Sequence, residues 1–418
     1  MATNKQISTL AAVFATLALA GAAVPAHELE GKTPRQRPTG RPTVAATFPR
    51  ESYAPGQIAR LVVYSRARNV VVRLFQAGTE RSRIRANDEM RGTQVGSTRR
   101  FAGLRRGSVL RLKLGDWPSG LYYARLDAAG GKIGYAPFVL RPQRLGGNRV
   151  AIVLPTQTWQ AYNFSDDDAD GDEDTWYAGG STARVGRPFE NRGVPTHYKN
   201  YDQPFLRWLS ESRRAADYLA QADLNNLRNG RVLAAAYDLI VFPGHHEYVT
   251  QREYDVVEQY RDLGGNLMFL SANNFFWKVE RRGDLMTRIK QWRQLGRPEA
   301  ALIGVQYFAN DNGSHRRPWI VRDPRAARGL LASAGLHDGS PVGVAGIEVD
   351  GVTPASPPGT KVLAEVAWRR GKTAQMTYYE TAAGAKVFAA GAFTLAGQAM
   401  DGDVRALLAG LWARLAEG

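Results

Sequence analysis

The sequence predicts a β-sandwich followed by an α/β domain with a mostly parallel sheet. Three observations carry this expectation. Between residues 44 and 140, short runs of alternating apolar and polar residues recur, separated by Gly and Pro, the pattern of strands with one buried face. From Val150 onward the apolar runs become continuous, as in 150–154 and 237–242, which suits strands covered on both faces. Residues 237–270 then read as strand, turn, helix and strand, the unit from which parallel sheets are built.

Taken in order, residues 1–26 read as a signal peptide. Lys5 opens it, residues 10–23 are apolar, and Val24-Pro25-Ala26 offers small residues for cleavage. The apolar run is short for a bilayer span, so the expectation is an exported protein, periplasmic or secreted, without stable membrane insertion. Residues 27–43, rich in Pro, Gly, Arg and Lys, read as an extended linker. The sandwich is assigned to 44–142 and a hinge to 142–148. The α/β domain is assigned to 148–418, with strands at 150–154, 237–242, 266–270 and 386–390. Apolar residues at helical spacing place helices at 254–263 and 404–415. Residues 298–365 read as a strand- and loop-rich insertion.

The chain of 418 residues has no cysteine, which excludes disulfides, thiolate metal sites and a cysteine nucleophile. Its formal charge of +16 comes from 55 basic and 39 acidic residues. With no nucleic-acid module in the pattern, the charge reads as a solvated, Arg-rich surface and nucleic acid is not expected as a partner.

Ligands of open α/β sheets bind beyond the carboxyl ends of the strands. Here those ends carry the most polar phrases of the chain. The run 150–154 leads to Trp159-Gln160-Ala161-Tyr162-Asn163. The run 237–242 leads to Gly244-His245-His246-Glu247-Tyr248, and the run 266–270 to Ser271-Ala272-Asn273-Asn274. Local roles compete with chemistry for these residues. His245, His246 and Glu247 suit a helix start, Asn273 and Asn274 suit a turn, and Tyr162 suits a core with its hydroxyl satisfied.

From about residue 112 onward the chain resembles the large-subunit family of N,N-dimethylformamidase. The resemblance rests on Ser119-Gly120-Leu121-Tyr122, Leu154-Pro155-Thr156 with Trp159-Gln160-Ala161-Tyr162-Asn163, and Asp202-Gln203-Pro204-Phe205-Leu206-Arg207-Trp208-Leu209. It continues through Gly244-His245-His246-Glu247-Tyr248, Gly264-Gly265-Asn266-Leu267 and Asn273-Asn274-Phe275-Phe276-Trp277. The resemblance implies a β-sandwich beside a flavodoxin-like, class I glutamine-amidotransferase-like α/β domain. It also implies a mononuclear iron site, Fe3+, of two tyrosinates and one glutamate, carried onto Tyr122, Tyr162 and Glu247. His245, Asn273 and Glu380 are carried over as supporting catalytic residues.

Phenolate and carboxylate oxygens are hard donors suited to a hard cation, and the activity that the resemblance implies is iron-dependent hydrolysis of small amides or related C–N bonds. A homo-oligomer is compatible with this reading. Two other readings stand beside it: a non-catalytic exported binding protein using the same cleft, and a carbohydrate-active enzyme with Glu247 and Glu380 as its carboxylate pair. Separately, Asp166, Asp168, Asp170 and Gly171 follow the Asp-x-Asp-x-Asp-Gly grammar of a calcium loop, with Tyr177 at the position where a bidentate Glu belongs. They suggest a structural Ca2+.

Overall fold

The computed structural model describes residues 39–166, 168, 170–322 and 330–416. The expected signal peptide and most of the expected linker lie outside the described residues.

The alternating runs near the start form two sheets around one core. Ala46–Thr47, Ile58–Val63 and Ser108–Lys113 make a three-stranded sheet. Ser52–Tyr53, Lys132–Leu140, Gly120–Ala128, Val70–Ala77 and Gly92–Phe101 make a five-stranded one. Alternate residues of both close on each other: Leu61 and Val63, Leu110 and Leu112, Val72 and Leu74, Tyr122 and Ala124, Phe138 and Leu140. The opposite face of the five-stranded sheet is also covered. Leu121, Tyr123, Tyr135 and Val139 pack into a second core with Ile152, Leu154, Trp159 and Phe205. The period-two geometry of a strand therefore sends Tyr122 and Tyr123 into different cores.

The second core belongs to a nine-stranded sheet. Its order is Asp217–Ala220, Val150–Leu154, Leu239–Phe242, Asn266–Phe269, Lys386–Ala389, Thr373–Glu380, Lys361–Ala367, Arg317–Val321 and Pro341–Ala345. The first five strands pair in parallel. The remaining four pairings are antiparallel.

This corrects the expected fold class. Among the described residues the protein is mostly β, with several mixed sheets and 21% helix, and they form no clear flavodoxin-like, glutamine-amidotransferase-like α/β domain with a mostly parallel sheet. The physical reason is that a continuous apolar run reports burial on both faces but says nothing about the direction of its neighbours. Four of the nine strands, Arg317–Val321, Pro341–Ala345, Lys361–Ala367 and Thr373–Glu380, complete the sheet by antiparallel pairing. The described helices are few and short; the two longest are Gly402–Ala416 and Gln251–Asp262.

Those two helices explain why the central strands are apolar throughout. Gln251–Asp262 starts with a capping box in which Thr250 Oγ1 accepts from Glu253 N while Glu253 Oε2 accepts from Thr250 N. It lays Tyr254 and Val257 against Val153, Ile240 and Leu267 on one face of the sheet. Gly402–Ala416 lays Leu407, Leu408 and Leu411 in the core holding Ile152, Val241 and Met268 on the other. No helix among the described residues is long and apolar enough to cross a membrane.

Candidate functional site

The parallel strands end together, and their following segments converge. After Val150–Leu154 the helix Thr156–Ala161 delivers Tyr162. After Leu239–Phe242 the chain bends at Gly244, where a Cβ would sit 2.6 Å from Asp202 Oδ1 and 2.8 Å from Pro155 Cγ. Only a glycine fits so close an approach. The bend aims His245 and Glu247 to one side. The ring of His246 goes elsewhere, between the carbonyls of Gly244 and Val153. After Asn266–Phe269 the chain passes through two left-handed residues, Asn273 (φ 52) and Phe275 (φ 57). This segment pins the bend: His246 N donates to Asn274 Oδ1 at 3.1 Å, and Phe276 N and Trp277 N donate to Glu247 O.

At the centre, Tyr162 Oη donates to Glu247 Oε2 at 2.6 Å, and His245 Nε2 lies 3.1 Å from the same oxygen. His245 Nδ1 faces the carbonyl of Ala272 at 3.0 Å. That contact makes Nδ1 the donor and fixes which nitrogen points into the site. A second carboxylate joins from the strand Glu348–Gly351, with Glu348 Oε2 3.4 Å from His245 Nε2. Two residues on, along the same strand face, Asp350 accepts from Asn273 N at 3.0 and 3.2 Å. Asn310 Nδ2 donates to Glu348 Oε1 at 3.2 Å, and the side-chain amide of Asn273 lies beside the same carboxylate.

Burial governs the charges. It works against a charged His245, but the Glu348 carboxylate and the hydrogen bond and charge of Glu247 outweigh it and raise the imidazole to about 9. Burial raises Glu348, reinforced by the charge of Glu247 and opposed by His245. Burial, followed by the charge of Glu247, raises Tyr162 well above the ordinary phenol range, so the phenol is the donor in its bond to Glu247.

Beside this cluster lies a small pocket. Tyr162 and His245 form its polar end, and Pro155, Trp159 and Phe393 give it apolar walls. His197, itself left-handed (φ 61), and Asp202 complete the rim. Burial lowers His197 to about 4 and raises Asp202 to about 7, the latter opposed by the Trp159 N–H that Asp202 accepts at 3.2 Å.

Of the residues singled out from sequence, the structure brings together Tyr162, Glu247, His245 and Asn273. It places two others apart. The Tyr122 hydroxyl donates to the carbonyl of Pro118 at 2.8 Å, and its ring stacks on Trp117 and Phe138 inside the sandwich core. Glu380 is half exposed, accepts from Tyr378 Oη and pairs with Arg414 at 3.3 Å. The acidic loop gathers Asp166, Asp168 and Asp174, whose carboxylate oxygens lie within 4.8 Å of one another. Asp170 instead accepts from Asp172 N.

Sequence reasoning missed Glu348, Asp350, His197 and Asp202. The signal for the first pair was available: two carboxylates at i, i+2 share one face of a strand, flanked by apolar residues in Ile347-Glu348-Val349-Asp350.

The donor set can be tested against a hard cation. Tyr162 Oη and Glu247 Oε2 are such donors and already touch. Asn273 Oδ1 is a buried acceptor with no hydrogen bond among the described residues, and Glu348 Oε2 has only the 3.4 Å approach of His245 Nε2. A buried acceptor left unpaired costs about 1–3 kcal/mol, so these atoms suit a cation or a ligand donor in the same space. Tyr162 and Glu247 therefore fit the implied ion, whereas Tyr122 has its hydroxyl engaged elsewhere.

Solved structures resemble the chain only faintly. The superoxide reductase (neelaredoxin) of Ignicoccus hospitalis is 17% identical over 24% of this chain and 80% of its own, with a TM-score of 0.16. A cycloisomaltooligosaccharide glucanotransferase of Paenibacillus sp. is 11% identical over 55% and 45%, with a TM-score of 0.19. The N,N-dimethylformamidase beta subunit of Alcaligenes sp. is 33% identical over 79 residues, which span 19% of this chain and 10% of that relative. The family described as N,N-dimethylformamidase beta subunit-like, C-terminal, matches residues 110–403, and the chain belongs to that family.

Proposed function

We propose that this member of the N,N-dimethylformamidase beta subunit-like family hydrolyses the C–N bond of a small amide in the pocket beside Tyr162 and His245, with an iron ion held by Tyr162 and Glu247. One observation carries the reading. A phenol and an imidazole meet on a single buried carboxylate oxygen, at 2.6 and 3.1 Å, at the polar end of an apolar-walled pocket.

When bound, a hard cation polarises a carbonyl and acidifies a water molecule. The chain's own residues do the rest. Tyr162 would hold the ion through its phenolate oxygen, its proton passing to solvent, since a neighbouring cation would offset the burial that otherwise keeps the phenol neutral. Glu247 supplies the adjacent carboxylate. His245, held by Ala272 O through Nδ1, presents Nε2 as the proton-carrying atom and can hand that proton to the departing nitrogen. Glu348, with the Asn273 amide beside it, faces His245 Nε2 and helps fix its position. Pro155, Trp159 and Phe393 exclude bulk water from the substituents on nitrogen. The amide and one water are consumed, and a carboxylic acid and an amine are released.

The carbohydrate reading has no such support, because Glu380 pairs with Arg414 away from Glu247. The test is amine release from a panel of small formamides and acetamides by the purified, iron-loaded protein. Turnover that falls by roughly 10²-fold or more in Glu247→Gln, with folding intact, supports the reading. Iron-loaded protein that releases no amine from any of them counts against it.

A further inference from the structure

The charge of the chain is concentrated. Residues 44–142 carry 18 Lys and Arg against 6 Asp and Glu, so they hold most of the +16. Part of that charge sits on the outer face of the three-stranded sheet. Alternation there buries Ala59, Leu61, Leu110 and Leu112 and turns outward Ile58, Arg60 and Val62 on one strand and Val109, Arg111 and Lys113 on its neighbour. Register pairs Ile58 with Lys113, Arg60 with Arg111 and Val62 with Val109. Like charges directly opposite each other destabilise a sheet. Among the described residues no carboxylate pairs with Arg60, Arg111 or Lys113.

The adjoining loops extend the same chemistry. Leu104 N donates to Arg68 O and Gly107 N to Val63 O, which sets Arg105 beside Arg66 and Arg68, all three exposed. The face is also apolar in part: Ile58 is 50% exposed and Val109 40%. It is cationic and interleaved with aliphatic side chains. Aromatic platforms, on which a polysaccharide would stack, are absent from these six outward positions. Aliphatic groups among arginines suit a phospholipid surface, where cations meet phosphates and short apolar chains reach past them.

We propose that this face docks the protein peripherally on an anionic phospholipid surface. It lies on the side of the sandwich away from the second core and the pocket, so docking leaves the pocket open. The inference stands independently of the proposed amide chemistry.

The test is co-sedimentation of the full chain with vesicles of phosphatidylcholine alone and with about a third phosphatidylglycerol. The expected result is binding only to the anionic vesicles, weakening as salt rises. The double variant Arg60→Glu/Arg111→Glu should lower partitioning by about tenfold or more, and Ile58→Ser/Val109→Ser should lower it several-fold. All four side chains face outward, so melting temperature should hold. If the first pair misfolds, Arg66→Glu/Arg105→Glu tests the same face from its loops. Absence of binding to anionic vesicles overturns the proposal, as does equal binding by the charge-reversed protein. So does binding that ignores Ile58 and Val109 and is fully displaced by dextran sulfate, since that outcome assigns the face to a soluble polyanion.

Discussion

Tyr162 and Glu247 come from different strand ends, 85 positions apart in the chain, yet the phenol donates to the carboxylate at 2.6 Å. The contact is buried, and His245 approaches the same oxygen. This pairing organises the site and separates it from Tyr122, whose hydroxyl is spent on Pro118.

Tyr122→Phe should therefore affect stability and little else. It removes one hydrogen bond to a backbone carbonyl while keeping the ring stacked on Trp117 and Phe138. The expected cost is about 1 kcal/mol, read from denaturant unfolding. Iron content and amide turnover should match the parent. A loss of iron in Tyr122→Phe would restore Tyr122 to the ligand set.

Asn273 combines a backbone role with a side-chain role, and two substitutions separate them. At φ 52 a glycine is comfortable and an alanine is strained by about 1 kcal/mol. Asn273→Gly should match the parent in melting temperature, whereas Asn273→Ala should melt lower. Both remove the side-chain amide that lies beside Glu348, so both should lose turnover to a similar extent. A fully active glycine variant would show that Asn273 serves the turn alone.

The buried Glu253 predicts a pH dependence. Burial, opposed by its hydrogen bonds to Thr250 and Gln157, raises it to about 8. The folded protein thus holds this proton between about pH 4.5 and 8, while the unfolded chain releases it. Unfolding free energy must therefore fall as pH rises through that window, by up to about 1.4 kcal/mol per pH unit for one group. Glu253→Gln keeps an acceptor for Thr250 N and should flatten the slope. An unchanged slope in chemical denaturation from pH 5 to 8 would place the titration elsewhere.

Much of the site could be read from sequence, because parallel strands deliver their following residues to one edge. Tyr162, Glu247 and Asn273 stand just beyond three apolar runs, and those runs pair side by side. Glu348 was out of reach for a different reason. It arrives on a short strand from residues 298–365, and nothing local to that strand says where it lies. The same stretch misled the fold class, since its antiparallel strands complete a sheet whose parallel half is visible in the apolar runs. At Tyr122 and Tyr123, alternation separates the two side chains but does not say which core each enters.

The most direct measurement is metal content, together with the visible spectrum, of the parent and of Tyr162→Phe, both purified without chelator. The account predicts about one iron per parent chain with a broad tyrosinate-to-iron band, and loss of that band in Tyr162→Phe. A parent protein that stays colourless and takes up no added iron, or a band that survives Tyr162→Phe, would contradict it.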